Sequence, residues 1–113
     1  MDKKQLMQLR QLKREIENAS QRLLHIKRSR KGLDKLYEQL EHKRMQCIIK
    51  TVQIEKFINS IDDSLLRQIF ELRYVEGCTW AKVAALTGGY YSEDYVRIKH
   101  DRYLKAIKRQ KLT

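Results

Sequence analysis

The stretch that decides the fold is Ile61–Arg109, which reads IDDSLLRQIFELRYVEGCTWAKVAALTGGYYSEDYVRIKHDRYLKAIKR. Apolar residues recur in it at helical spacing in three blocks, with Gly77 between the first two and Gly88-Gly89 between the last two. Each block follows a side chain that can accept a hydrogen bond from the unpaired amides of a first helical turn. These N-cap candidates are Asp62 or Asp63, Thr79 and Ser92. The sequence therefore predicts three helices joined by two turns.

This order of elements is typical of a helix-turn-helix unit. A short helix and a glycine-containing turn hold the N-terminal half of the next helix away from a small core, where it fits the major groove of DNA. We expect Arg97 to bind a guanine edge, Asp94 to accept a hydrogen bond from a cytosine amine and Ile98 to contact a thymine methyl group. The residues predicted to protrude are Tyr91, Ser92, Asp94, Tyr95, Arg97, Ile98 and Lys99.

The remainder of the third block is basic. Tyr95–Thr113 contains seven Lys or Arg residues and one Asp. Basic side chains beyond the leading turns of such a helix contact phosphates, which raises affinity without adding sequence information and makes binding salt-dependent. The phosphate-contact candidates are Arg102, Lys105, Lys108 and Arg109. The opposite side of the helix is predicted to pack on the core through Val96, His100, Tyr103, Leu104 and Ile107.

The whole chain is strongly basic. Its 113 residues include 25 Lys or Arg and 14 Asp or Glu, a formal net charge of +11. Met1–Ser60 carries +8 of this charge and Ile61–Thr113 carries +3. Such a balance indicates a polyanionic partner. Charge and motif together favour nucleic acid, and an anionic membrane surface or an acidic protein is the alternative.

The sequence disfavours several other classes. Cys47 and Cys78 form no CxxC pattern, so we expect reduced thiols. His25 and His42 have no partner at metal-ligand spacing, so no metal is expected. We predict no enzyme, cofactor or small-molecule substrate, because the chain has no glycine-rich phosphate loop, no nucleophile–base pair and no carboxylate pair. No apolar run approaches the roughly 20 residues of a membrane span, and the N-terminus is too polar for a signal peptide, so a cytoplasmic location is expected.

The N-terminal part predicts two long helices, over residues 3 to 28 and 33 to 60. In the first, apolar residues are spaced alternately three and four apart, which is the seam pattern of a coiled coil and requires a partner helix. This seam is Leu9, Leu12, Ile16, Ala19, Leu23 and Ile26. The apolar pattern that predicts the second helix is Leu33, Leu36, Tyr37, Leu40, Ile48, Ile49, Val52, Phe57, Ile58 and Ile61. The seam can form an antiparallel hairpin within one chain or pair two chains, and a homodimer is favoured because dimers read paired half-sites.

Two breaks bound this arm. The basic run Lys27–Lys31 interrupts the seam and predicts a turn near Ser29–Gly32, which is either a solvated turn or a phosphate-binding loop. Polar residues at Asn59–Asp63 compete for backbone hydrogen bonds and predict a helix end. The expected fold is therefore all-α, with a coiled-coil-like helical hairpin over residues 1–60 and a three-helix helix-turn-helix unit over residues 61–113.

One tryptophan and two tyrosines could each either pack inside the protein or contact DNA. Trp80 begins the second block, and we expect it to pack on the first helix rather than to stack on a base. Tyr90 and Tyr91 precede the third block, where their hydroxyl groups either reach phosphates or pack.

At Leu72–Leu104 the residues resemble a known family. The run LRYVEGCTWAKVA, then a glycine and later SEDYVR, resembles the helix-turn-helix in the fourth region of bacterial sigma factors and, more closely, phage and prophage transcriptional regulators of the ArpU and RinA type. The resemblance implies that Thr79–Leu86 is the positioning helix and Ser92–Arg109 the recognition helix. It places toward the groove Ser92, Glu93, Asp94, Tyr95, Arg97 and Arg102. The turn Thr87–Tyr91 is about two residues longer than in sigma factors, which leaves the register of base contacts open.

The resemblance implies a sequence-specific regulator that binds double-stranded promoter DNA and activates late phage genes in the cytoplasm of a bacterial host. Host RNA polymerase is a second candidate partner. Two alternatives stay open at this point. One is a DNA-packaging protein like a small terminase subunit, which also joins a helix-turn-helix to an oligomerising helical part. The other is a protein-interaction module whose arm binds polymerase.

Overall fold

The computed structural model describes residues 1–29 and 34–112, and every regular element within these ranges is a helix, so the predicted all-α class is confirmed. A π-helical turn at Glu71–Val75 continues the fourth helix. No described helix combines the length and apolar character that crossing a membrane requires. The helices are α1 (Lys3–Met7), α2 (Leu9–Ser29), α3 (Asp34–Asn59), α4 (Ser64–Phe70), α5 (Trp80–Leu86) and α6 (Glu93–Leu112).

Local signals place the helix ends of the second half where the sequence predicts them. Each predicted cap accepts a hydrogen bond from an amide of the following turn. Gly77, between α4 and α5, has a φ of +72°, in the left-handed region that favours glycine after a helix. The capping bonds join Asp63 Oδ1 to the Leu66 N–H (2.9 Å), Thr79 Oγ1 to the Lys82 N–H (3.3 Å) and Ser92 Oγ to the Tyr95 N–H (3.0 Å).

The helix predicted over residues 3 to 28 is interrupted at Gln8. The Gln8 N–H donates to the carbonyl of Gln5, three residues back, at 3.2 Å, and this tighter turn separates α1 from α2. Asp2 and Gln5 form a capping box at the start of α1. No glycine or proline marks the interruption, which is why periodicity alone predicted one helix.

Helices α2 and α3 pack against each other within one chain. The α2 seam is confirmed, because Leu9, Leu12, Ala19 and Leu23 are buried and Ile16 and Ile26 are partly buried. On α3 the buried positions are Leu40, Cys47, Thr51, Ile54 and Ile58. Ile49 and Val52, which we expected on this seam, are instead 51% and 41% exposed. The inward face of α3 therefore runs through less apolar residues than the sequence suggested.

Polar contacts bridge the two long helices. Lys13 Nζ lies 2.8 Å from Glu55 Oε1, and Arg44 Nε donates to Ser20 Oγ at 2.8 Å. The second contact falls in the mainly polar segment Glu41–Gln46 of α3. Because early α2 residues meet late α3 residues, the two helices are antiparallel.

The largest apolar core joins the arm to the helix-turn-helix unit. It contains residues of α1, α2, α3, α4 and the π-helical turn. The buried ring of Phe70 belongs to this core, and the partly buried rings of Phe57 and Tyr103 pack against it, with ring centroids 5.6–6.2 Å apart. The buried members are Leu6, Leu9, Leu12, Cys47, Ile54, Ile58, Ile61, Leu66, Phe70 and Tyr74. This core therefore draws on both sides of the predicted boundary between residues 60 and 61.

Helix α2 ends at Ser29 and α3 begins at Asp34. The predicted turn near Ser29–Gly32 and the side chains of the basic run Lys27–Lys31 lie outside the described residues. The two interpretations of that run stay predictions.

Candidate nucleic-acid interface

Helix α6 is held by an apolar cluster that it shares with α4 and α5. Val96 is fully buried there with Ile69 and Val83, and Cys78 and Ala84 complete the cluster. Further along the same side of α6, His100 is buried, and Tyr103, Leu104 and Ile107 are partly buried, as the sequence predicted. The opposite side of α6 is left to solvent.

The turn before α6 is fixed by hydrogen bonds and by two glycines. Thr87 Oγ1 donates to the carbonyl oxygens of Val83 at 2.9 Å and Ala84 at 3.1 Å, which closes the end of α5. Gly88 and Gly89 have φ values of +105° and +73°. These values lie in the left-handed region, so the double glycine sets the direction in which α6 leaves the turn.

The first turns of α6 expose both apolar and charged side chains. Tyr95 is 46% exposed and Ile98 is 43% exposed. The ring of Tyr91 stacks on that of Tyr95, with centroids 5.0 Å apart and planes 12° from parallel. Arg97 Nη2 pairs with Asp94 Oδ1 at 2.8 Å. This surface therefore offers an aromatic stack, an aliphatic side chain and an ion pair.

The predicted interface residues all lie on α6 or in the turn before it. Tyr95, Ile98, Arg102 and Lys105 succeed one another at spacings of three and four residues, so they form one exposed stripe along the helix. Tyr91 and Lys99 are partly buried, and the exposed members are Ser92, Glu93, Asp94, Tyr95, Arg97, Ile98, Arg102 and Lys105.

Lys99 is engaged within the protein. Its Nζ lies 3.3 Å from Asp63 Oδ2, at the start of α4. The backbone N–H of Leu66, together with Lys99, lowers the pKa of Asp63 below its ordinary value. Lys99 therefore helps to hold α6 against α4.

The second half of α6 is a cationic surface. Its exposed basic residues have no carboxylate within ion-pairing distance among residues 1–29 and 34–112. They are Arg102, Lys105, Lys108 and Arg109. An uncompensated row of this kind attracts polyanions and gives binding a steep salt dependence.

His100 lies in the packed interior and not on the exposed side of α6. It is fully buried, and its ring bonds to the Tyr74 hydroxyl at 2.5 Å and to Asp101 at 2.9 Å. Burial lowers the pKa of His100 and outweighs the Asp101 carboxylate, which acts in the opposite direction. Trp80 packs inside the protein as predicted, but on two elements: its ring lies edge-to-face on His100 of α6, with centroids 4.9 Å apart, and 4.5 Å from the guanidinium of Arg73 in the π-helical turn that continues α4.

Sequence reasoning missed a second cationic surface. Arg10 and Arg14 on α2 meet Arg73 of the π-helical turn at a cleft that Gly77 also lines. The spacing of Arg10 and Arg14 places them one helical turn apart. Nothing in the sequence brings them to Arg73.

Among the described residues, no three His, Cys, Asp or Glu side chains cluster as metal ligands. Comparisons of the chain with protein-family models, curated proteins and solved structures found no match.

Proposed function

We propose that this chain is a sequence-specific DNA-binding transcriptional regulator and that the N-terminal half of α6 enters the major groove. One observation carries the proposal. Helix α6 is anchored on one side by Val96 and His100, while Tyr95, Ile98 and Arg102 form an exposed stripe on another side. A rigid helix that presents long side chains beside a helix-turn-helix core has the shape that reads base edges.

The ion pair between Arg97 and Asp94 does not prevent base reading. Both side chains are largely exposed, so their contact contributes about 0–1 kcal/mol. A bidentate arginine–guanine contact discriminates against a wrong base by about 1–3 kcal/mol. Breaking the ion pair therefore costs less free energy than the base contact provides. In the absence of DNA, the ion pair orients Arg97 along the exposed side of α6.

The cationic half of α6 supplies the electrostatic part of binding. Arg102, Lys105, Lys108 and Arg109 lie C-terminal to the base-reading turns and contact phosphates in this proposal. Lys99 contributes differently, because its contact with Asp63 orients α6 relative to α4. Affinity thus comes mainly from one half of the helix and sequence preference from the other.

The test is selection of bound duplexes from a random pool, followed by affinity measurements on the selected and a scrambled sequence at about 150 mM salt. A specific binder prefers its site by ~10³-fold or more. Equal affinity for both duplexes would reject sequence-specific recognition and leave a general polyanion binder.

Self-association belongs to the proposal. Met45, Ile49 and Val52 are 47%, 51% and 41% exposed and follow one another at spacings of four and three on α3. This apolar stripe supports pairing of two copies, since the α2 seam is already covered within the chain. A solution mass measurement decides: a dimer fits a regulator of paired half-sites, whereas a ring of eight or more copies would favour the packaging alternative.

The biological setting is proposed from the resemblance alone. It is activation of late phage genes in the cytoplasm of a bacterial host, with RNA polymerase as the second partner. Transcription by purified bacterial polymerase from a template that carries the selected site tests this. More transcript on adding the protein supports an activator, less transcript indicates a repressor, and a polymerase complex that forms without DNA favours the protein-interaction alternative.

A further inference from the structure

Three arginines converge on one cleft away from the exposed stripe of α6. Arg10 and Arg14 come from successive turns of α2, and Arg73 comes from the π-helical turn after α4. Gly77, in the turn that leads into α5, lies at the same cleft. The cleft therefore joins the N-terminal arm to the turn of the helix-turn-helix unit.

Arg73 is fixed in this cleft before any ligand binds. Its Nη1 donates to the carbonyl oxygen of Cys78 at 3.0 Å, and its guanidinium lies 4.5 Å from the ring centroid of Trp80. Its Nε is buried and has no hydrogen-bond partner in the part of the chain that the structure describes. A buried donor left in this state is costly.

Arg10 reaches the cleft because position 77 is a glycine. A Cβ added to Gly77 would lie 2.6 Å from Arg10 Cζ, closer than two such atoms can approach. The guanidinium of Arg10 therefore packs directly on the backbone of the α4–α5 turn. Any larger residue would push Arg10 out of the position it now occupies.

The cleft carries uncompensated positive charge. No carboxylate of the described chain lies within ion-pairing distance of Arg10, Arg14 or Arg73. Guanidinium groups present planar pairs of donors that match the oxygens of a phosphate, and such charge-assisted hydrogen bonds are stronger than neutral ones. Three of them around one cleft without an internal anion form an arrangement suited to a phosphate group.

We propose that Arg10, Arg14 and Arg73 bind a phosphate oxyanion. We assign this phosphate to the DNA backbone. This assignment rests on the proposed DNA-binding function. The helix before the recognition helix crosses the backbone in helix-turn-helix complexes, and the cleft adjoins the start of that helix, α5. A phosphate of a free small molecule is the other source of the same chemistry.

The first arm of the test needs no DNA. Inorganic phosphate is added to the full chain at constant ionic strength set with chloride, and arginine side-chain and Gly77 amide resonances are followed by NMR. We expect saturable shifts at Arg73 and Gly77 that the double variant Arg10→Gln/Arg14→Gln abolishes. The control Arg22→Gln/Lys43→Gln removes the same charge from exposed positions of α2 and α3 outside the cleft and should retain the shifts.

The second arm measures duplex affinity of the same proteins against salt concentration. Loss of a backbone contact should weaken binding to all sequences alike, by about tenfold per contact, and reduce the salt slope by about 1.

Phosphate shifts without this loss assign the site to a free phosphate compound and leave DNA binding standing. If cleft and control variants behave alike in both arms, the inference is wrong. If the wild type binds no duplex, the proposed function fails and the phosphate arm alone decides the inference.

Discussion

Asp63 and Lys99 connect the first and last helices of the helix-turn-helix unit through one carboxylate. Asp63 Oδ1 accepts the Leu66 N–H at 2.9 Å and caps α4, while its Oδ2 lies 3.3 Å from Lys99 Nζ in the middle of α6. The cap that starts the first helix therefore also contributes to the orientation of the proposed recognition helix.

This double role predicts two different mutant effects. Asp63→Ala removes the cap and the ion pair and should lower the free energy of unfolding by about 1 kcal/mol. Asp63→Asn keeps a capping oxygen, so it should cost much less, since an exposed ion pair contributes about 0–1 kcal/mol. Urea unfolding of both variants measures the difference. Equal losses would mean that Asp63 acts through its charge and not as a cap.

The Asp63 carboxylate should also affect how stability depends on pH in the acid range. The pKa of Asp63 is lower in the folded chain than its ordinary value of 3.8. The unfolded chain therefore takes up this proton first as the pH falls. The stabilisation is present above the ordinary value and is lost as the pH drops through the folded value. Stability measured between about pH 5 and pH 2 should fall less steeply in Asp63→Asn than in the wild type; identical slopes would contradict the shift.

The buried pair of Tyr74 and His100 predicts a large effect from one hydroxyl group. Tyr74→Phe leaves a ring nitrogen of His100 buried without its partner, which should cost about 1–3 kcal/mol. Tyr103→Phe is the matched control, because its ring belongs to the same aromatic cluster and its hydroxyl has no hydrogen-bond partner among the described residues. Thermal and urea unfolding should separate the two variants, and similar losses would show that the Tyr74 hydroxyl is not needed.

Two glycines with nearly the same backbone conformation allow a comparison. Gly77 and Gly89 have φ values of +72° and +73°, so an alanine at either position pays the left-handed cost of about 1–2 kcal/mol. A Cβ at Gly89 meets nothing within 4 Å, whereas one at Gly77 meets the Arg10 guanidinium. The guanidinium is the far end of an exposed, flexible side chain and can move aside, so Gly77→Ala should lose only slightly more than Gly89→Ala, by less than about 0.5 kcal/mol. In an Arg10→Ala background the excess should vanish, and its persistence would place the strain elsewhere.

Arg97 and Lys108 should affect DNA binding in different ways. Arg97→Ala is expected to cost about 1–3 kcal/mol at one base position and to relax preference there, whereas Lys108→Ala should weaken all duplexes alike. Arg97→Lys keeps the charge but not the planar fork, so it should lose preference while retaining non-specific affinity. Affinities for the selected site and its single-base variants give the answer. A uniform loss on every duplex for Arg97→Ala would contradict its assigned role.

Local chemistry made the second half of the fold predictable. Asp63, Thr79 and Ser92 cap helices through amides three residues away, so the signal and its effect lie within one turn of sequence. The α2 seam was predictable for a similar reason, because its period is strict from Leu9 to Ile26. The exposed side of α6 followed once Val96 and His100 were assigned to the core.

The features that escaped prediction depend on the packing of distant segments. On α3 the sequence offers two candidate faces, and the one with Cys47 and Thr51 turned inward although Ile49 and Val52 are more apolar. The cleft of Arg10, Arg14 and Arg73 forms only because α2 and the π-helical turn meet in three dimensions. The periodicity of apolar residues identifies the buried face of a single helix. It does not say which part of another helix will pack against that face.

The shared core has a consequence for how this chain can change over time. Leu6, Leu9 and Leu12 pack in the same core as Phe70 and Tyr74. The last 53 residues therefore depend on the N-terminal arm and cannot be exchanged as an independent unit. A recombination event that grafted them onto a foreign arm would expose those aromatic rings unless the new arm supplied matching leucines. Under the proposed function, new operator preferences would arise through point substitutions along the outer side of α6, while the rest of the fold is inherited as one unit.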